Sequence, residues 1–137
     1  ETGENAQLAA STGEVGQILF ARQHSLPVGS RSVIGRVTSS GAPVIELHTG
    51  VYSELPDGAQ REQELQRLRE AARFGIGAGL EVHAGHGLNY HNVGPVAAIA
   101  EINELNIGHA IVAQSLYTGM TAAVADMKRL MQMARTA

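Results

Sequence analysis

Residues 42–48 read APVIELH, a short apolar run that opens with a proline at its second position. Proline donates no backbone hydrogen bond and is found at the first position of strands, so this run predicts a β-strand. Successive residues of a strand point to opposite faces, which places Glu46 and His48 on one face and Ile45 and Leu47 on the other. The strand therefore presents a carboxylate and an imidazole together.

Helix and strand patterns alternate from this strand to the end of the chain. The predicted elements are, in order, a helix (60–74), a strand (80–84), a short helix (Pro95 to about Glu104), a strand (105–107) and a helix (121–135). The helices are predicted from apolar residues at helical spacing, and proline is favoured in a first helical turn. Such alternation is typical of parallel strands joined by helical crossovers, and so of the α/β class.

Residues 1–41 do not continue this pattern. They contain no Asp and no Lys, and residues 29–41 are rich in Ser, Gly and Arg. Residues 17–23 fit either a short helix or a short strand. We therefore divide the chain into residues 1–41, which we leave unassigned with non-native or disordered sequence as the hypothesis, and residues 42–137, which hold the α/β units.

The composition excludes several classes of protein. With 137 residues, 44% of them hydrophobic and 17% charged, the chain has the length and composition of one globular domain. A net charge of −3 gives no general attraction to nucleic acid or to an anionic membrane surface. The chain has no cysteine, which excludes disulfides and thiolate metal sites. We expect a cytoplasmic protein that binds neither nucleic acid nor membranes.

Each predicted strand runs into a polar, glycine-rich end. These ends lie at residues 46–50, 85–87 and 106–109. Glycine and histidine also serve in ordinary turns, and for a single strand end we would favour that simpler interpretation. In parallel α/β folds, however, ligands bind beyond the C-terminal ends of the strands. Three such ends side by side therefore favour a ligand site.

Four residues stand out at these strand ends. His86 lies between two glycines, which allow close approach of a ligand, and imidazole exchanges protons near neutral pH. Glu46 lies within an apolar strand, where a carboxylate is costly unless it is paired. Gly108 and His109 precede a helix, where an amide and an imidazole can hold phosphate. The alternatives are a solvent-facing turn histidine, a structural salt bridge from Glu46 to an arginine, and a core histidine at position 109.

A metal site is a further alternative. His83, His86 and His91 are loosely spaced like metal ligands, and zinc and iron sites use neutral imidazoles. No tight motif such as HExxH is present, and residues three apart on an extended strand face opposite ways. We therefore predict no metal site, and keep the possibility as the weaker alternative.

Long motifs in the second part of the chain resemble those of one enzyme family. They are IELHTG (45–50), HAGHGLNYHNV (83–93), ELNIGHAIVAQSLYTG (104–119) and MKRLM (127–131). They resemble pyridoxine 5'-phosphate synthase, and the resemblance extends from residue 42 to about residue 135. It implies a (β/α)8 barrel of the TIM-barrel type, with about the last three βα units in this chain, and a homo-oligomer, usually an octamer.

The resemblance also implies an activity and a set of roles. The family condenses 1-deoxy-D-xylulose 5-phosphate with 3-amino-2-oxopropyl phosphate to pyridoxine 5'-phosphate, phosphate and water, with no metal or organic cofactor. His86 is similar to its catalytic proton donor and Glu46 to its transition-state-stabilising carboxylate. Gly87 is similar to a substrate-binding backbone position, and Gly108 and His109 to its phosphate-binding pair. The expected partners are small phosphorylated substrates and further copies of the chain.

Two departures from the family pattern limit these expectations. His83 stands where the family commonly has Asn. The family's first barrel half also supplies a second histidine and a glutamate as bases, with arginines for phosphate, and this chain shows no such elements. We therefore expect a C-terminal part with weak or no activity alone. Two alternatives remain: a half barrel that binds phosphorylated ligands without turnover, and a metal-dependent enzyme that uses the histidines and Glu46.

Overall fold

The computed structural model describes residues 7–11, 18–22 and 41–136. Its strands are β1 (Gln7–Ser11), β2 (Ile18–Arg22), β3 (Val44–His48), β4 (Glu81–Gly85) and β5 (Glu104–Asn106). Its helices are α1 (Gly50–Glu54), α2 (Ala59–Gly77), α3 (Val93–Ala97), α4 (His109–Thr118) and α5 (Met120–Thr136). Most of residues 1–41 lie outside the described residues, and the hypothesis that this stretch is non-native or disordered stays a prediction.

The strands form one mixed sheet in the order β2-β1-β3-β4-β5. β3, β4 and β5 run parallel to one another. β1 pairs antiparallel with β3, and β2 pairs antiparallel with β1. The three strands predicted after residue 41 are confirmed, as is their parallel arrangement, and the ambiguous stretch at residues 17–23 contains a strand. The protein is a mixed α/β structure with a parallel three-stranded unit.

Helix α2 packs against one face of the parallel strands. The buried residues Leu65, Leu68 and Ala72 follow helical spacing and share a core with Ile45 and Val82 of the sheet. One turn further on, α2 approaches the sheet so closely that a β-carbon at position 75, where the chain has glycine, would lie 2.8 Å from a Val82 methyl group. The apolar stripe predicted from the sequence thus covers the sheet, and Gly75 allows the close distance between α2 and the sheet.

The short helix after Pro95 is shorter than predicted. We expected it to reach about Glu104, but α3 ends at Ala97. The backbone then continues in tight turns, with the Ile99 amide bonded to the Val96 carbonyl and the Ile102 amide to the Ile99 carbonyl. Apolar residues at every third position fit such i to i+3 turns as well as an α-helix, so the pattern did not distinguish them.

The C-terminal helices close the described structure. α5 confirms the predicted last helix, and α4 is a separate helix that ends at Gly119, whose φ of +80° is open to glycine at little cost. Arg135 donates to the carbonyls of Ala100 and Ile102, which ties the end of α5 to the turns after α3. None of the helices in the described ranges is long and apolar enough to cross a membrane.

The second face of the parallel strands is polar. The strand register brings Glu46, His83 and Glu104 into one row across β3, β4 and β5. At its Glu104 end the row keeps contact with solvent, since 61% of that side chain is exposed, whereas only 18% of the His83 side chain is. Parallel sheets are normally covered on both faces, so this face is either the inside of a larger structure or a surface suited to polar ligands.

Candidate active site

The carboxyl ends of the three parallel strands open into one cavity. Its volume is about 650 Å³, the size of a small-molecule site. The residues that line it are Glu46, His48, His86, Gly87, Leu88, Asn89, Asn106, Ile107, Gly108, His109 and Ala110. All five site residues named from the sequence are among them. The structure therefore brings together residues that lie up to 63 positions apart in the chain, as the strand-end prediction required.

Glu46 projects from the middle of β3 towards this cavity. The side-chain amide of Asn106 on β5 donates to Glu46 Oε2 over 2.8 Å. The structural alternative required an arginine as partner, whereas the partner seen here is a neutral amide. A β-carbon on Gly85 would lie 2.6 Å from Glu46 Oε1, so the glycine of β4 makes room for the carboxylate. The carboxylate is thus oriented without its charge being neutralised by Asn106.

His86 directly follows β4 and has an unusual backbone. Its φ is +82°, a left-handed conformation that is uncommon for residues other than glycine, although Asn, Asp and His adopt it more often than most. The His86 carbonyl accepts hydrogen bonds from the hydroxyls of Thr49, at 2.6 Å, and Ser53, at 3.4 Å. Non-glycine residues held in this region cluster at functional sites, where surrounding contacts offset the strain. The backbone geometry thus supports the choice of His86 made from its flanking glycines.

A second histidine lies against the first. The rings of His48 and His86 are stacked, with centroids 4.3 Å apart and planes inclined by 26°. The amide of Gly50 points at His48 Nδ1 over 3.3 Å, so this nitrogen acts as an acceptor. A neutral His48 ring that accepts there carries its proton on Nε2. The cavity therefore holds a pair of adjacent imidazoles beside one carboxylate.

Gly87 continues the left-handed backbone, with φ +76°. A β-carbon at this position would lie 2.7 Å from the β-carbon of Ser53, so a side chain would collide with α1. Both the conformation and the close approach require glycine. The backbone of residue 87 therefore forms part of the cavity wall, as expected of a position that contacts substrate through its main chain.

Gly108 and His109 form the opposite end of the cavity. α4 begins at His109, with Gly108 as its N-cap, and the Gly108 carbonyl accepts the amide of Val112 over 3.0 Å. A β-carbon on Gly108 would meet nothing within 4 Å. The first amides of a helix have no partners within the helix and attract anions. This end of the cavity is therefore suited to a phosphate group.

The other two histidines of the 83–93 run lie elsewhere. His83 Nε2 is 3.0 Å from the Glu81 carboxylate, and Nδ1 is 3.8 Å from that of Glu104. His91 lines a separate small cavity beside Tyr52 and Arg61. The three histidines that had metal-like spacing therefore do not converge. Within the described ranges, no group of three or more His, Cys, Asp or Glu side chains is arranged to hold a metal ion.

Shifted pKa values are found away from the cavity. Burial raises the pKa of the Tyr52 phenol, whose hydroxyl donates to the Asn92 carbonyl over 2.8 Å. A backbone hydrogen bond, together with the Arg73 guanidinium, holds the pKa of Glu101 below its ordinary value. Neither group lines the cavity at the strand ends.

Sequence reasoning missed three residues of the site. His48 and Asn106 line the cavity, and the Thr49 hydroxyl donates a hydrogen bond to the His86 carbonyl. Strand alternation placed His48 beside Glu46, and Asn106 lies at a strand end, so both carried a signal. Thr49 carried none, because its role depends on the pairing of β3 with β4.

A parallel α/β sheet whose strand ends surround a cavity with imidazoles, a carboxylate and a helix N-terminus defines a small-molecule site of the α/β enzyme type. The chain belongs to a known family of this type: the family described as pyridoxal phosphate biosynthesis protein PdxJ matches residues 25–133. The match starts ahead of Ala42, so it includes residues 25–41.

Named relatives agree with this family. Pyridoxine 5'-phosphate synthases of Legionella pneumophila strains Corby and Lens are each 58% identical to the chain over 95 residues. The aligned part is 69% of this chain and 38% of each relative. The chain therefore corresponds to well under half of the length of these relatives.

Proposed function

We propose that this chain carries the proton-donor and phosphate-binding part of a pyridoxine 5'-phosphate synthase site. The reaction would condense 1-deoxy-D-xylulose 5-phosphate with 3-amino-2-oxopropyl phosphate to pyridoxine 5'-phosphate, phosphate and water. One observation carries the proposal: Glu46, His86, Gly87, Gly108 and His109 all line one cavity at the strand ends. The family membership and the name of the relatives support the same reaction.

The chemistry of the cavity fits the proposed roles. The His86 imidazole can donate a proton to a leaving hydroxyl or phosphate oxygen, because histidine is the side chain that most often serves as a general acid. Glu46, oriented by Asn106, stabilises positive charge that develops on a nitrogen-containing intermediate. Gly108 and His109 hold a substrate phosphate at the start of α4. Each proposed role is supported by the presence of the group among the residues that line the cavity.

We propose further that the parallel strands are part of a (β/α)8 barrel and contribute about three of its βα units. The polar row Glu46, His83 and Glu104 would then face the barrel interior, and the helices would lie outside. Active sites of such barrels lie at the C-terminal ends of the strands, where this cavity is found. The homo-oligomeric state and the cytoplasmic location stay predictions.

The first test is ligand binding, because binding does not require every catalytic group. Calorimetric titration of the chain with pyridoxine 5'-phosphate should give saturable heat. His86→Ala should leave the phosphate contacts and keep binding, whereas Gly108→Val should weaken it. A parent chain that shows no binding of pyridoxine 5'-phosphate would contradict the proposal.

The second test is turnover with both substrates, followed by mass spectrometry of the product. Loss of a general acid costs about a hundredfold to ten-thousandfold in rate, so His86→Ala should lower the rate by that order when the full enzyme context is supplied. Glu46→Gln should lower the rate too, because the amide carries no charge. His91→Ala is the matched control, since His91 lies outside the cavity. A rate within about threefold of the parent would refute the role of the substituted residue.

A second candidate function is ligand binding without turnover. It is favoured by the alignment, which reaches only 38% of the length of the relatives. It is also favoured by the resemblance, which assigns the catalytic bases to the family's first barrel half and leaves the phosphate-binding residues in this part. Saturable binding of pyridoxine 5'-phosphate with no product formed from the two substrates would identify this function.

A further inference from the structure

We propose that Thr49 is the positioning residue of this site: its buried hydroxyl holds His86 in the left-handed conformation that stacks the His86 ring on His48 at the cavity. This inference rests on the proposed function in one respect only, which is the role of His86 as proton donor. The geometry itself is independent of any substrate.

The contacts of Thr49 with the neighbouring strand are unusually complete. Thr49 is fully buried. Its hydroxyl lies 2.7 Å from the Gly85 carbonyl and 2.6 Å from the His86 carbonyl, and its amide donates to the Gly85 carbonyl over 2.7 Å. One side chain thus joins the end of β3 to the two residues at which β4 turns away from the sheet.

The position of these bonds explains why they act on His86. The residue has φ +82°, which a β-carbon disfavours, and the chain continues with Gly87 at φ +76°. The Thr49 amide fixes the Gly85 carbonyl before the His86 φ angle. The single hydroxyl proton of Thr49, shared between the two carbonyls, holds the His86 carbonyl after the ψ angle, so the backbone has little freedom to relax. Thr49 itself is excluded from water, so its hydroxyl finds its acceptors in these two carbonyls rather than in solvent.

The following glycine supports the same arrangement. A β-carbon on Gly50 would lie 2.5 Å from His48 Cε1 and 3.1 Å from His86 Cδ2. The backbone of Gly50 therefore packs directly against both rings, and its amide contacts His48 Nδ1. The three residues after Leu47 thus all contact His86. The His48 ring stacks on its ring, the Thr49 hydroxyl bonds to its carbonyl, and Gly50, which has no side chain, leaves room for both rings.

The test compares three variants of the chain. Thr49→Val keeps the shape and removes the hydroxyl, and Thr49→Ser keeps the hydroxyl. Thr136→Val makes the same change at an exposed position at the end of α5, where the hydroxyl bonds only within its own helix. Thr49→Ala makes the comparison if Thr49→Val does not give a folded chain. Thermal unfolding monitored by circular dichroism identifies the folded variants.

The readout is nuclear magnetic resonance of the histidine rings, without substrate. The parent, Thr49→Ser and Thr136→Val should show a nuclear Overhauser cross-peak between the His48 and His86 rings. Folded Thr49→Val or Thr49→Ala should lose that cross-peak and show shifted His86 ring signals. A merely structural role would lower the unfolding temperature and leave the cross-peak in place, and that result would overturn the proposal. Loss of the cross-peak in Thr49→Ser would also overturn it.

Failure of this inference can be told apart from failure of the proposed function. If the parent binds no pyridoxine 5'-phosphate, the proposed function fails while the ring contact still decides the role of Thr49. If the parent binds it and Thr49→Val keeps the cross-peak, the positioning role fails alone.

Discussion

At the scale of single residues, His86 shows the strongest conflict between backbone and side chain. A left-handed conformation costs a residue with a β-carbon about 1–2 kcal/mol, and glycine or asparagine would avoid most of this cost. The chain nevertheless has a histidine at φ +82°, stacked on His48 in the cavity wall. The simplest physical account is that the imidazole is needed at this place and that hydrogen bonds from Thr49 and Ser53 offset the strain.

Gly108 provides a prediction about the phosphate end of the cavity. A β-carbon at this position meets no protein atom within 4 Å, so Gly108→Val should fold and place its side chain in the space for the ligand. Binding of pyridoxine 5'-phosphate should weaken at least about tenfold, or roughly 1.4 kcal/mol. Binding of unphosphorylated pyridoxine should change much less. Calorimetry with both ligands measures the difference, and equal weakening of the two would mean that Gly108 serves the fold.

Tyr52 provides a prediction about pH. Its folded pKa is raised by burial above the unfolded value of about 10, so its contribution to stability is fully present below pH 10. The contribution is lost as pH rises through the folded pKa, because only the unfolded chain ionises there. Tyr52→Phe also leaves the Asn92 carbonyl without its partner hydroxyl, at a cost of about 1–3 kcal/mol.

The measurement for Tyr52 is urea unfolding of the parent and Tyr52→Phe between pH 8 and about pH 11, across the ordinary phenol pKa. The parent should be the more stable chain at pH 8, and the difference should shrink above pH 10. A difference that stays constant over the range would show that the phenol does not titrate differently in the folded chain.

At the scale of elements, the fit of α2 on the sheet depends on one glycine. A β-carbon on Gly75 would lie 2.8 Å from Val82 Cγ2 and 2.9 Å from Ile45 Cδ1. Gly77, two residues further along the same helix, would place a β-carbon in open space. The two positions therefore separate the helix propensity of alanine from the packing of the helix on the sheet.

Gly75→Ala and Gly77→Ala should change stability in opposite directions. Alanine in place of glycine favours a helix by up to about 1 kcal/mol, which Gly77→Ala should gain in part near the helix end. Overpacking costs about 1–3 kcal/mol, and this should exceed the same gain at position 75. Chemical denaturation of the two variants should show Gly77→Ala more stable by at least about 1 kcal/mol. Equal stabilities would mean that α2 can move away from the sheet freely.

At the scale of the whole molecule, apolar surface remains on the C-terminal helices. Leu116 and Tyr117 of α4 are 82% and 88% exposed, and Val112 and Met120 lie nearby in sequence with more than half of their surface exposed. β5 also forms one edge of the described sheet. Exposed apolar patches and unpaired strand edges promote association.

We therefore predict that the chain forms a dimer or larger assembly, or is poorly soluble. Static light scattering over a range of concentrations measures this directly. Leu116→Glu should shift the population towards the monomer if the α4 surface is the contact, whereas Glu54→Gln, a change in charge on helix α1, should not. A stable monomer of the parent chain at all concentrations would contradict the prediction.

The local sequence was enough to predict the strands after residue 41, their parallel order and three of the five described helices, because apolar periodicity and strand ends are properties of neighbouring residues. The helices α1 and α4 were not among the predicted elements. It also singled out Glu46, His86, Gly87, Gly108 and His109, all of them at polar, glycine-rich strand ends. The end of α3 at Ala97 was missed, since a period of three fits both a helix and successive turns.

Only the tertiary structure showed how these residues meet. The stacking of His48 on His86, the bond from Asn106 to Glu46 and the hold of Thr49 on the His86 carbonyl all join different strands. They depend on the register of β3 with β4 and of β4 with β5. The register of the strands is set by the packing of whole sheet faces, since a shift of one residue would turn each side chain to the other face. A short stretch of sequence therefore does not determine the register.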